Sequence, residues 1–452
     1  MTQYDQELKQ FLQACPDTSH VDVLIIDLCG NAVGKRLPAS ALPALFATGT
    51  PVCAAMQLVD AMGNTADPMG YGFSDGDPDA YAIPLPGTLR QVPWLSGNKS
   101  QVLCEYVGVA DGQPLWFEPR QVLKRVLERF AELDLKPLIA LELEFYLLNA
   151  QRGDDGAPCP ARSPRTGLSE ASGKVLSLDK LDEFDEVLGA IEAACHLQGI
   201  PTTSMISEYG AGQFEVNLQH QDDALRAADH AALLRRAVCG VSRSQGFDAS
   251  FMSKPFGDQS GNGLHLHLSL IDAAGNNIFD PRQADGDQQL GQAVAGLQAT
   301  MAEAMAIFAP NINVYRRFKP DEFVPVTTDW GENNRSMAFR IPPSDPANRR
   351  IEHRVSGAEA NPYLVAAAVL AGVHHGLTQG LDPGARQTGN AGAEVDASLP
   401  LTIWQALDRI QQASILPEYF GADYLQVYHQ VKQAEFDAFM EGIHAREYAW
   451  YL

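Results

Sequence analysis

Lys254–Leu270 reads KPFGDQSGNGLHLHLSL. A glycine-rich turn runs into a short strand in which leucine alternates with a polar residue. His265 and His267 are two apart, so on a strand both point to one face and the leucines to the other. Gly257, Gly261 and Gly263 give the preceding turn a tight backbone with N–H groups exposed beside the histidines. Such a turn can hold an anion next to a metal. Taken alone, the stretch is equally readable as a hairpin with two surface histidines.

Three further stretches decide between those readings. In Ala140–Leu148, ALELEFYLL, Glu142 and Glu144 share one strand face while apolar residues fill the other. Two like charges on so apolar a strand repel unless a cation sits between them. Glu208 and Glu215 bracket the loop of SEYGAGQFEV, whose glycines let both carboxylates return to one place. Glu352 and Arg354 in RRIEHRV are again two apart. Five glutamates with one or two histidines form an oxygen-rich donor set, which favours Mg²⁺ or Mn²⁺ over zinc. The stretch NINVYRRFKPDEF…WGENNRSMAFRIP supplies Arg316, Arg317, Arg335 and Arg340. Paired metals with converging arginines suit phosphoryl transfer. The sequence has no Walker A or kinase signature, so an ATP site here must be of another type.

Composition narrows the class. The 452 residues are 45% hydrophobic and carry a formal charge of −23, which disfavours nucleic acid or an anionic membrane as partner. The polar N-terminus is unlike a signal peptide, and the longest apolar run, Tyr363–Val373, is too short to span a bilayer. Seven scattered cysteines without CxxC pairs suit a reducing compartment, so a cytoplasmic protein is expected. The first hundred-odd residues read as a small mixed domain. The amphipathic helix expected over Arg120–Leu133 opens a larger one, with the boundary at PLWFEP. Ala360–Leu377 is apolar all round and should be a buried helix. Two or three helices should close the chain, and Trp94, Trp116 and Trp404 should be packing residues.

The motifs KPFGD…GLHLHLSL, ELEF, E…GAGQFE, NNRS…RIP, RRIEHR and ANPYLVAAAVLAG, in this order and spacing, resemble the glutamine synthetase family. The resemblance runs from about residue 20 to the C-terminus. It implies an α+β fold: a small β-grasp-like domain, residues 1–113, and a large catalytic domain, residues 114–452, with a curved antiparallel sheet flanked by helices. It also implies a homo-oligomeric ring, a hexamer or a dodecamer of two hexamers, with active sites at subunit boundaries. By that resemblance Glu144, Glu208 and Glu215 bind one Mg²⁺ or Mn²⁺, and Glu142, His265 and Glu352 a second. His267, Ser269 and Arg340 would contact ATP, while Gly261, Arg317 and Arg354 would contact glutamate. Arg335 would span glutamate and the phosphoryl group in transfer.

The departures from the family pattern concern ammonium. Phe323 stands in RFKPDEFVP where a flap glutamate is usual, with Glu322 just before it. An FDGSS-like segment is replaced by CAAMQLVDAMG, in which Asp60 is a positional candidate. Ser260 stands where an asparagine usually precedes Gly261, and the tyrosine-bearing adenylylation loop is missing. The C-terminal half is similar to the γ-glutamylpolyamine synthetase branch. The expected activity is therefore ATP-dependent ligation of glutamate to putrescine or another alkyl amine, with Asp321, Glu322 and Asp60 as candidate bases. Alternatives are a true glutamine synthetase, a non-catalytic scaffold on the same fold, and a two-metal hydrolase.

Overall fold

The computed structural model describes residues 3–153, 156–168 and 173–452. The stretch 153–173, which its Gly, Pro and Ser content predicts to be an excursion loop, lies partly outside them. The first sheet contains β1 (His20–Ile26), β2 (Ala32–Pro38), β3 (Thr50–Cys53), β4 (Asp79–Pro84), β5 (Arg90–Gln91) and β6 (Lys99–Gly108). Its order is β2-β1-β6-β4-β3, with β5 also on β6. One face of this sheet has a core of its own, including Val21, Val23, Val102 and Tyr106. Leu24, Ile26 and Leu103 on the other face join the main core of the chain. Asp22 of β1 holds Arg236, on the helix Ala224–Ser244, at 2.7 Å, which ties this sheet to the larger unit.

The second sheet contains β7 (Lys136–Asn149), β8 (Thr202–Ser207), β9 (Gln213–Leu218), β10 (Phe247–Ser250), β11 (Leu264–Ile271), β12 (Trp330–Glu332), β13 (Phe339–Ile341) and β14 (Ile351–His353). The order is β12-β13-β14-β11-β7-β9-β8, with β10 on the end of β7. All these pairs are antiparallel except β12 with β13. Alternation works as the sequence reads: Leu264, Leu266, Leu268 and Leu270 are buried, as are Leu141, Leu143 and Phe145 of β7. These apolar faces are covered by helices, so the opposite face is free to carry charge.

The helix at Pro119–Ala131 begins on a proline, whose missing N–H costs nothing in the first turn. Its Val122, Leu123, Val126 and Phe130 are buried, but Leu133 lies past its end and is 40% exposed. The apolar helix spans Pro362–Gln379 and is buried for most of its length. Asn361 caps it by accepting from the N–H groups of Tyr363 and Leu364 at 3.0 and 3.4 Å. Four short or long helices follow after residue 400, one or two more than expected. Trp404 is 52% exposed, so it is less of a packing residue than the sequence suggests.

Candidate active site

Strand register assembles the site. His265 stands opposite Glu142 across β11 and β7, and Glu144 opposite Glu215 across β7 and β9. On the other side His267 stands opposite Glu352 of β14, which in turn stands opposite Arg340 of β13. Directly opposed residues share a sheet face. Five neighbouring strands thus present one row of charged groups into a cavity of about 1450 Å³. That exceeds the usual size of a single small-molecule pocket and leaves room for two substrates.

The row has an acidic end. Glu144, Glu208 and Glu215 all line the cavity. Burial, then the neighbouring Glu208, pushes the Glu144 carboxyl up to about 8. Burial followed by Glu142, Glu144 and Glu208 raises Glu215 well above the carboxylate range, and burial raises Glu208. Glu142 differs: burial opposes its charge, yet His267 and His265 together bring it well below its usual value. His267 Nε2 is 2.9 Å and His265 Nδ1 3.4 Å from its carboxylate.

Donor atoms of Glu142, His265 and Glu352 lie within 4.8 Å of one another, and so do those of Glu144, Glu215 and His265. The first group is the ligand set implied for the second metal. The other contains two of the three residues implied for the first metal, with His265 in place of Glu208. Carboxylates held together in this way, with one imidazole, fit a hard divalent cation. A cation would also offset the burial and mutual repulsion that hold Glu144 and Glu215 toward their neutral forms.

The other end is built for anions. Arg317, Arg340 and Arg354 are nearly buried, and the Nε–H group of each lacks a partner among the described residues. Orphaned buried donors are costly, and an anionic ligand would satisfy them. Arg340 reaches Glu352 Oε2 at 2.5 Å, and Arg354 bonds Oε1 of the same carboxylate. Although burial raises Glu352, Arg354 and then the two histidines hold it down at about 2. Arg335 lines the cavity from an exposed position. Gly261 permits the approach of Arg317, since a Cβ there would meet Arg317 Cγ at 2.7 Å.

Two expected residues stand apart from this group. Ser269 follows His267 along β11 but is not among the groups lining the cavity. Asp60 lies on a different cavity, between the first sheet and the larger unit. Its carboxylate accepts from the N–H groups of Met62 and Asn64 at 2.9 and 2.8 Å, closing a turn of its own. Asp321, Glu322 and Phe323 do line the main cavity. Asn390 donates to Asp321 at 2.8 Å, and Glu322 faces the buried Lys254 amine at 3.6 Å.

The structure adds residues that the sequence reading passed over. Arg350 Nε donates to His267 Nδ1 at 3.1 Å, which leaves the His267 proton on Nε2, facing Glu142. The signal was present: Arg350 is two before Glu352 in the quoted RRIEHRV. Gln213 donates to Asn262 at 3.0 Å, and the Gly263 N–H donates to Glu144 at 2.8 Å, so the glycine turn and the glutamate strand are locked together.

The sequence matches the family description "Glutamine synthetase, catalytic domain" over residues 117–451. This chain belongs to the glutamine synthetase family. A γ-glutamylputrescine synthetase of Escherichia coli is 37% identical over 449 residues, which cover 99% of this chain and 95% of that protein. A glutamate–isopropylamine ligase of a Pseudomonas species is 32% identical over 387 residues, covering 84% and 83%. Among solved structures, a GmaS/ADP complex has a TM-score of 0.83 at 27% identity, covering 98% of this chain and 99% of that one. Enzymes of this family use ATP and divalent metals. No helix among the described residues is long and apolar enough to cross a membrane.

Proposed function

We propose that this chain joins the γ-carboxylate of glutamate to a primary alkyl amine, putrescine or a monoamine, using ATP and passing through γ-glutamyl phosphate. The observation that carries this reading is the single sheet face on which clustered carboxylates adjoin buried arginines whose donors are unpaired among the described residues, opening past the ring of Phe323. The similar proteins named for putrescine and isopropylamine support the amine as nucleophile.

Glu142, His265 and Glu352 would hold one divalent cation, Mg²⁺ or Mn²⁺, and Glu144, Glu208 and Glu215 another. Bound there, such cations neutralise the triphosphate and polarise the phosphoryl group. His267 and Arg340, which line the cavity, are assigned to the nucleotide. Arg317 and Arg354 bind the glutamate carboxylates beside Gly261, fixing the γ-oxygen for attack on phosphorus. Arg335 stabilises charge on the phosphoryl group and then on the acyl phosphate. Glu322, next to Phe323 on the cavity wall, would take the proton of the attacking amine. Asp60, in this chain's other cavity, would serve the site of a neighbouring subunit in a ring. Exposed Met440, Ile443, Trp450 and Tyr451 near the C-terminus support an assembled hexamer or dodecamer. Seven free thiols support a cytoplasmic location.

The test is phosphate release from ATP and glutamate with Mg²⁺ across ammonium, putrescine, spermidine and short monoamines. Release that depends on one alkyl amine class, with little on ammonium, is expected. Release that saturates with ammonium would make the chain a glutamine synthetase. No release with any amine would return it to the scaffold reading.

A further inference from the structure

Around the mouth of the main cavity, large apolar side chains are left in contact with water. Val175, Leu176, Tyr209 and Phe323 are 37%, 69%, 50% and 58% exposed, and all four line this cavity. They come from two lips. On one, the Leu176 N–H donates to Ser207 O at 2.8 Å. Gly173 lies so close to the same loop that a Cβ on it would meet Tyr209 O at 2.0 Å. Residues 173–177 are thereby fastened along the segment that presents Tyr209. On the other lip, the Asp321 N–H donates to Gly392 O at 2.9 Å, and Phe323 follows two residues on. The rings of Tyr209 and Phe323 meet across the mouth, 6.1 Å between centroids and tilted by 30°.

The backbone adds a second, independent sign. Leu176 has φ +58°, in the left-handed region where a leucine is strained and a glycine is not. Asp321, on the facing lip, has φ +59°. An exposed leucine in strained backbone does not contribute to the core, so a function at the mouth accounts for Leu176 better than packing does. Glu208 directly precedes Tyr209, so the apolar collar begins one residue from the acidic floor. A cationic head with an apolar tail matches that sequence of surfaces.

We infer that Leu176, Tyr209 and Phe323, with Val175, form a subsite for the alkyl chain of the amine, so that the substrate class is primary amines with an extended linear chain. This rests on the ligase reading above. The subsite acts by removing methylene groups from water, each of which is worth about fourfold in binding.

The experiment is kcat/KM for amine-dependent phosphate release with methylamine, ethylamine, propylamine and butylamine, in the full-length protein and in Leu176→Gly and Tyr209→Ala. Leu176→Gly relaxes the left-handed backbone, so it tests the side chain without threatening the fold. The unsubstituted protein should gain about fourfold per added methylene, and each variant should flatten that slope to less than about twofold. A steep slope unmoved in both variants, or release insensitive to chain length, overturns the subsite alone. No release with any amine overturns the ligase reading and the subsite with it.

Discussion

Arg340 Nη1 stands 2.5 Å from Glu352 Oε2, at directly opposed positions of two adjacent strands. Arg354 takes the other oxygen of the same carboxylate, which is 1% exposed. One buried carboxylate therefore anchors two arginines and belongs to a cluster of donors that could hold a metal ion. Glu352→Ala should abolish turnover and leave two guanidinium groups without their partner. Breaking a buried pair on one side costs roughly 3–5 kcal/mol, so the thermal midpoint should fall as well. Phosphate release within a few-fold of the unsubstituted protein would sink the assignment.

Phe323→Glu should raise the use of ammonium relative to alkyl amines, because it places an acid on the flap and removes part of the apolar rim. The ratio of kcat/KM for ammonium and for butylamine measures this. An unchanged ratio would remove Phe323 from selectivity.

Divalent cations should stabilise the folded chain. At a free concentration one hundred times Kd the gain is about 2.7 kcal/mol, read as a rise in thermal midpoint with Mn²⁺ or Mg²⁺ and its loss on chelation. Glu215→Gln should act in opposite directions with and without metal. It removes one of several repelling carboxylates, so the metal-free protein becomes more stable, while the cation-induced rise shrinks. A full cation-induced rise in that variant would place the ion elsewhere.

Glu118 gives a pH dependence remote from the site. Burial pushes its carboxyl from 4.5 up to about 8, against the opposing hydrogen bond from the Tyr106 N–H at 3.2 Å. The folded state therefore holds a proton that the unfolded chain has released between those values. Stability from this group falls as pH rises from about 4.5 through 8. Glu118→Gln keeps an acceptor for Tyr106 but cannot ionise. Its stability relative to the unsubstituted protein should increase across that window and stay level below it. A difference that does not vary with pH would show that Glu118 is not the titrating group.

Much of the site was legible because a strand's period is two. His265 with His267, Glu142 with Glu144, and Glu352 with Arg354 could each be placed on a shared face from spacing alone. Which strands lie side by side could not be read in the same way. That order depends on long-range pairing of β7 with β9 and β11, and of β11 with β14, which no local pattern encodes. β12, β13 and β14 have three residues each, too few to show a longer period, so Arg340 was recognisable by motif but not by strand. β8 was missed because its exposed TTSM start reads as a turn after Pro201. The hydrogen bond from Arg350 to His267 joins residues 83 apart in sequence. Asp60 shows the limit of resemblance: a position matched by order along the chain lies, in the folded subunit, on another cavity.

The pairing of His265 with Glu142 also sets where this gene can tolerate insertions and deletions. A one-residue deletion early in β11 would turn Leu266 and Leu268 toward the cavity and drive both histidines into the helices behind the sheet. Every donor on that strand would be lost together, with no intermediate grade of damage. Residues 380–385 open a loop between helices, ahead of Gln387, Gly389 and Gly392, which bond to the walls of the cavity, and changes of length in that opening part need not disturb any ladder. Length variation among active variants should therefore be nil across β7, β9 and β11, and should accumulate just after Gly380.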